Sequence, residues 1–91
     1  MRLFAIPASD EATEYLDLIA TTMVELFDIP DEEAVARINR FWHGQSFDSE
    51  GSVNALLHEM PDFWAKTIYY GRHVKWWLGE EGLSPEPYAS E

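Results

Sequence analysis

Histidine is the residue of this chain with the most versatile chemistry, and it recurs at equal intervals of fifteen residues, as His43, His58 and His73. Two metal ligands share one helix face only when they lie three or four residues apart, and no two histidines here have that spacing. The absence of cysteine excludes a thiolate zinc site as well. The sequence therefore predicts no metal site and no bound cofactor.

Nucleophilic catalysis is the other chemistry that these residue types could support. It needs a serine or threonine beside a histidine, together with a third group that orients the base. The chain contains all of these residues, but it has neither a nucleophile elbow nor a glycine-rich loop that could cradle phosphate. Such sets arise by chance in a chain of this length. We therefore predict that the protein is not an enzyme and has no catalytic residue.

Aromatic residues are concentrated in residues 61–78, which hold three of the four tryptophans, two of the four tyrosines and three of the six basic residues. Aromatic rings bury large apolar areas, so we expect this segment to lie at the centre of the core. Adjacent rings point in different directions on a helix or a strand. The helical spacing predicts that Trp77 is buried, and that Tyr70 and Trp76 are the outer rings of their pairs.

An exposed Tyr70 and Trp76 would lie near two bases, Arg72 and Lys75. Tyrosine, tryptophan and arginine are the residues most enriched at the energetic centres of protein interfaces. The same composition could line an aromatic pocket for a small ligand. These four residues are therefore predicted to form an interaction surface.

Negative charge is concentrated at the start of the chain. The net charge is −11, and residues 1–33 carry nine acids against one base, Arg2. Such a field repels phosphate backbones and anionic lipid, so direct binding of nucleic acid or of a membrane is disfavoured, whereas a basic protein partner is attracted. Glu14 and Asp17, on the polar face of the first predicted helix, are candidate contacts for it. An ordinary solvated surface is the alternative interpretation.

Four helices are predicted to position these residues. Ser9 or Asp10 caps the first, in which apolar residues recur at steps of three and four up to about Asp28. The others follow from Pro30, from Ser52 and from Pro61, and the last ends at Gly71. Residues 1–6 read as an extended arm packed by Leu3, Phe4 and Ile6, and residues 83–91 as an extended tail held by Leu83 or Tyr88.

The predicted fold is therefore all-α, a single helical domain over residues 1–91 with about four helices, an extended N-terminal arm and a C-terminal tail. The alternative is an α+β fold in which residues 67–76 form a hairpin around Gly71 and Arg72. The absence of cysteine fits a reducing compartment. The sequence offers no signal-peptide core and no membrane span, so we expect the protein to be cytoplasmic.

Two short stretches, residues 14–19 (EYLDLI) and 68–70 (IYY), resemble segments of the small nuclease-colicin immunity proteins, which are also small, acidic and helical. The resemblance is confined to these stretches and assigns no functional residue to this chain. It implies an immunity-like role.

The function predicted from these patterns is that of a small acidic interaction or regulatory module with a protein partner that is basic. An immunity, antitoxin or DNA-mimic inhibitor of that partner is one alternative. A small-ligand binder that uses the aromatic cluster is another, and a homodimer is a further expectation.

Overall fold

The structure, a computed structural model, describes residues 2–87 and consists of four α-helices followed by one short 3-10 turn. The helices are α1 (Asp10–Phe27), α2 (Asp31–Phe41), α3 (Glu50–Leu57) and α4 (Pro61–Tyr70), and the 3-10 turn is Trp76–Leu78. The predicted all-α bundle is confirmed. The alternative hairpin at residues 67–76 does not form, because α4 continues to Tyr70.

Local signals set most helix ends where the sequence predicts them. The Ser9 side chain accepts a hydrogen bond from the Ala12 amide at 3.2 Å and caps α1. Pro61 occupies the first turn of α4, where its missing N–H costs nothing. Gly71 follows α4 with φ +104°, a backbone conformation that favours glycine. Each of these signals acts within a few residues, which is why the sequence reveals it.

The helix at the centre of the molecule is α1, and the expectation that residues 61–78 would be central is wrong. Helix α1 packs against α2, α3 and α4. The largest side chains with no exposed surface are aliphatic, and α1 supplies three of the five: Leu16, Ile19, Met23, Ile38 and Leu56. Leucine and isoleucine fill the space between helices in well-defined rotamers, whereas most of the rings pack at the margins of this core.

The N-terminal arm lies across the bundle in an extended conformation. Ser9 N–H donates to Phe47 O at 2.9 Å and Phe47 N–H donates to Pro7 O at 2.8 Å, so the arm pairs with the loop between α2 and α3. The Phe47 side chain is buried. Ile6 is buried too, but the expectation that Leu3 packs inside is wrong, since Leu3 is 78% exposed.

None of the helices within residues 2–87 combines the length and the apolar character that crossing a bilayer requires.

Candidate functional site

The arm and the bundle enclose two neighbouring grooves on either side of Leu3. The first, which we call the arm groove, lies between the arm and α1 and has a volume of about 540 Å³. The second lies between the arm and α2 and has a volume of about 430 Å³. The arm groove is lined by Arg2, Leu3, Phe4, Ile6, Thr13, Glu14 and Asp17, and the second groove by Arg2, Leu3, Asp31, Glu32, Val35, Ala36 and Asn39.

Arg2 anchors the start of the arm to both helices. Its Nη1 donates to Asp17 Oδ1 at 3.1 Å and to Thr21 Oγ1 at 2.7 Å on α1, and its Nη2 donates to Asp31 Oδ1 at 2.9 Å on α2. The hydrogen bond to Asp31 is the main reason why the pKa of Arg2 lies above its ordinary value. The arrangement fixes one wall of each groove.

Glu14 and Asp17, the two acids predicted to face a partner, both line the arm groove. Glu14 is exposed. Asp17 is paired with Arg2, because the arm folds back over that face of α1. Both residues also line a further groove of about 430 Å³ on the side of α1 that includes Leu18. They therefore stand on a ridge between two concave surfaces.

The tryptophan pair faces the opposite way to the prediction. Trp76 packs on α4, where its Nε1–H donates to Thr67 Oγ1 at 3.1 Å and its ring lies edge-on to Phe63. Trp77 is 58% exposed and Leu78 is 77% exposed, so neither is part of the core. The prediction assumed continued α-helical spacing. The chain instead breaks at Gly71 and resumes as a 3-10 turn, which has a tighter repeat and a different direction.

Tyr70 and Trp76 are joined through a charged pair. Tyr70 OH donates to Glu80 Oε1 at 3.1 Å, and Lys66 Nζ contacts Glu80 Oε2 at 2.7 Å. Lys66 Nζ also lies 5.1 Å from the centre of the Trp76 ring. Partial burial, followed by the contact with Glu80, raises the pKa of Tyr70, while the Lys66 ammonium lowers the pKa of Glu80. These groups form one surface on α4.

Arg72 does not belong to that surface. Its Nη2 donates to Phe41 O at 2.7 Å, and its guanidinium lies 4.3 Å from the centre of the Phe41 ring, at the end of α2. Lys75 is exposed. Five of the six residues predicted to form the interaction surface are thus divided between the arm groove, the surface on α4 and the end of α2, and the structure does not bring them together.

Arg72 instead lines a cavity of about 160 Å³ that we call the arginine cleft. Its walls also include Arg37 and Arg40 of α2, so three of the six basic residues of the chain face one space. The C-terminal tail was expected to be held by Leu83 or Tyr88. Its described contacts run from Glu86 and Pro87 into this cleft, and Tyr88 lies outside the described residues.

Sequence reasoning missed Leu3 as a surface residue and Arg2 as the anchor of the arm. A signal for Arg2 was present, because it is the one base among nine acids in residues 1–33 and its pairing with some of them was to be expected. No local signal marked Leu3. The periodicity that identifies buried residues does not apply to a short extended arm that touches the bundle along one edge.

Within residues 2–87, no three histidine, aspartate or glutamate side chains are grouped as metal ligands would be.

The pKa of Tyr15 is raised by burial and by the nearby Asp62 and Glu59, and its hydroxyl donates to the Glu59 carbonyl oxygen. That contact ties α1 to the turn before α4. The arm groove, in contrast, offers apolar walls with carboxylates at the rim.

No protein-family model matches the chain, and no curated protein and no solved structure matches it.

Proposed function

We propose that the protein is a non-enzymatic interaction module of the cytoplasm that binds a basic, amphipathic segment of a partner protein in the arm groove. One observation carries the proposal. Leu3 leaves 78% of its surface exposed on a ridge between two grooves with apolar walls and acidic rims.

The apolar part of the groove supplies the affinity in this proposal. Covering an exposed leucine removes apolar area from water and is worth about 1.5–3 kcal/mol. Phe4, which is partly buried, extends the apolar surface of the groove along the arm. Contiguous apolar surface rimmed by polar groups is typical of protein interaction sites on small proteins. A partner segment with apolar residues on one face fits this shape.

The acidic rim determines the sign of the partner's charge. Glu14 and Asp17 border one groove, and Asp31 and Glu32 border the other. Arg2 is the base at this surface, and its guanidinium is already shared between Asp17 and Asp31. Lysine or arginine on the partner therefore gains favourable contacts, and the acidic field of residues 1–33 accelerates its approach.

A nucleic-acid-binding protein is one class of basic partner that suits this surface. Inhibition of such a protein, as an antitoxin, an immunity protein or a DNA mimic would achieve it, is therefore one form of the proposed function. It stays a prediction until the partner is identified.

Site-specific crosslinking tests the proposal directly. A photoreactive phenylalanine analogue is placed at Leu3 in one variant and at Trp77 in a control variant, because both side chains are exposed but lie on different elements. In the native host, position 3 should capture one protein through a segment that carries both basic and apolar residues. Glu14→Lys should reduce the capture, and so should high salt. Equal capture by both positions, or capture of an acidic segment, would contradict the proposal.

Self-association is a second candidate, because Trp77 and Leu78 form adjacent exposed apolar surface. A homodimer that covers both side chains removes them from water. Sedimentation equilibrium of the protein and of Trp77→Ser tests this candidate. A dimer that weakens in the variant supports it, and a monomer at high concentration excludes it.

A further inference from the structure

One wall of the arginine cleft is a peptide, the C-terminal tail of the same chain, which contributes Glu86 and Pro87. Arg37 Nη1 donates to Glu86 O at 2.9 Å, and Arg40 Nη1 donates to Pro87 O at 2.8 Å. Glu86 N–H donates to Tyr69 O at 2.8 Å, at the end of α4. The cleft therefore holds the tail through its backbone, which is how grooves for extended peptides obtain affinity.

The tail has the conformational properties of such a peptide. Its residues 84–87 read Ser-Pro-Glu-Pro. Each proline fixes its own φ and pushes the preceding residue to an extended conformation, so Glu86 loses little entropy on docking. Prolines lack an N–H group, which leaves the Glu86 amide as the backbone donor among residues 85–87. That donor is paired with Tyr69 O.

The cleft leaves room for an acidic side chain between the two prolines, but Arg40 and Arg72 do not pair with it. Arg40 and Arg72 line the cleft, and neither has a carboxylate oxygen within ion-pair distance in the part of the chain from residue 2 to residue 87. The Glu86 carboxylate lies against Gly71, where an added Cβ would come within 2.7 Å of Glu86 Oε1. A small residue at position 71 thus leaves room for the acid.

The segment that leads to the tail is held at Glu80, by Lys66 and Tyr70, and has few contacts beyond that point. Residues 79–82 are exposed, and Gly79 and Gly82 have φ of +144° and +82°. Such a segment gains little from burial, so the contacts of Glu86 and Pro87 carry most of the docking free energy. A competing peptide with the same backbone pattern can therefore replace it.

We propose that the arginine cleft is a second binding site, specific for an extended segment of another protein in which two prolines flank one residue with a backbone N–H, and that residues 84–87 are its displaceable internal ligand. The internal ligand sets a threshold affinity that a competing segment must exceed, because a tethered segment competes at an effective concentration in the millimolar range. The site is separate from the arm groove and does not depend on the function proposed for it.

A nuclear magnetic resonance titration of the full chain tests the proposal, with the peptide acetyl-Leu-Ser-Pro-Glu-Pro-amide, which copies residues 83–87, as the probe. Glu86→Pro removes the amide donor and should release the tail, whereas the control Glu86→Gln keeps the donor. We expect the peptide to bind Glu86→Pro about tenfold more tightly than it binds the wild type or Glu86→Gln. The amide signal of Gly71 should report the binding.

Two further controls separate specific docking from general attraction. A peptide with an N-methylated glutamate lacks the donor and should bind Glu86→Pro about tenfold more weakly. Adding Arg40→Gln to Glu86→Pro should weaken the binding of the unmodified peptide by a similar factor, because the charge-assisted hydrogen bond from Arg40 to the peptide carbonyl is lost. Equal affinity for the wild type, Glu86→Gln and Glu86→Pro, or for the two peptides, would overturn the proposal.

A second way of releasing the tail covers the case in which Glu86→Pro does not fold. Replacing both Pro85 and Pro87 by glycine keeps the amide donor but makes docking entropically more costly. This variant should also bind the peptide more tightly than the wild type does. No gain in affinity, in a variant with the wild-type circular dichroism spectrum, would refute the proposal.

Discussion

Phe27 and Tyr69 stack face to face, with ring centroids 3.7 Å apart and ring planes inclined by 6°. Phe27 ends α1 and Tyr69 lies in the last turn of α4, so the pair joins the C-terminal ends of two helices. The Arg37 guanidinium of α2 lies 5.0 Å from the centre of the Tyr69 ring, and the Tyr69 carbonyl accepts from the Glu86 amide. Tyr69 thus connects α1, α2, α4 and the tail.

Replacing Tyr69 by alanine should therefore destabilise the protein by about 3 kcal/mol, at the low end for loss of a large packed ring, because Tyr69 is only partly buried. Tyr69→Phe keeps the ring and should change the free energy of unfolding by less than about 0.5 kcal/mol. Urea denaturation measures both. Tyr70→Ala is the matched control, since Tyr70 contacts Phe27 only edge-on. A larger loss for Tyr70→Ala than for Tyr69→Ala would show that the stack is not the stabilising contact.

We expect Trp76→Ala to destabilise the protein more than Trp77→Ala does, which is the reverse of the order that helical spacing predicts. Trp76→Ala loses the hydrogen bond to Thr67 and the packing on Phe63, and we expect a cost of about 2 kcal/mol. Trp77→Ala removes a ring that is mostly in water and should cost about 0.5 kcal/mol or less. Thermal or urea unfolding of the two variants decides the order. If Trp77→Ala proves the more damaging change, the 3-10 turn is oriented differently.

The contrast between α4 and the 3-10 turn shows what the sequence could and could not predict. Pro61 marks the start of α4 and Gly71 its end through their own backbone properties, and the helix runs from Pro61 to Tyr70 as predicted. The orientation of the turn after Gly71 depends on contacts with Phe63, Lys66 and Thr67 across a chain reversal. Periodicity contains no information about such contacts, so the facing of the tryptophans could not be predicted.

The candidate sites likewise contain some features that the sequence could predict and others that it could not. The charge pattern of residues 1–33 correctly placed Glu14 on the surface of α1, because composition and helical spacing are properties of the sequence. The docking of the tail at Arg37 and Arg40 uses the carbonyl oxygens of Glu86 and Pro87. Every residue has a carbonyl oxygen, so no residue type marks such a contact in advance.

The Lys66–Glu80 pair should make stability depend on pH in the acid range. The hydrogen bond from Lys66 lowers the pKa of Glu80 below its ordinary value of 4.5. A lowered pKa in the folded state means that the pair stabilises the protein above about pH 4.5, and that this contribution is lost as the pH falls through the folded pKa. The Glu80 side chain is 38% exposed, so water and salt screen the pair, and the effect is small.

Lys66→Met tests this pH dependence. A carbon-detected titration should show the pKa of Glu80 rising toward its ordinary value in Lys66→Met, with a shallower loss of stability below pH 4.5. Lys75→Met removes an exposed lysine of the same kind and serves as the control for net charge. An unchanged pKa of Glu80 in Lys66→Met would mean that the ion pair is not maintained in solution.

The last prediction concerns Arg2 and the arm. Arg2 bridges Asp17 and Asp31, both more than half exposed, so we expect its loss to weaken the docking of the arm by about 1.4 kcal/mol. Hydrogen exchange at the Ala5 amide, which donates to Asn39 Oδ1 at 2.9 Å, should then become about tenfold faster in Arg2→Gln. The exchange rate in Arg2→Lys should lie between those of the wild type and Arg2→Gln, because an ammonium group lacks the planar fork that reaches both acids. Lys75→Gln makes the same change in net charge at an exposed site, and if it accelerates exchange at the Ala5 amide equally, the effect arises from net charge rather than from the bridge that Arg2 forms.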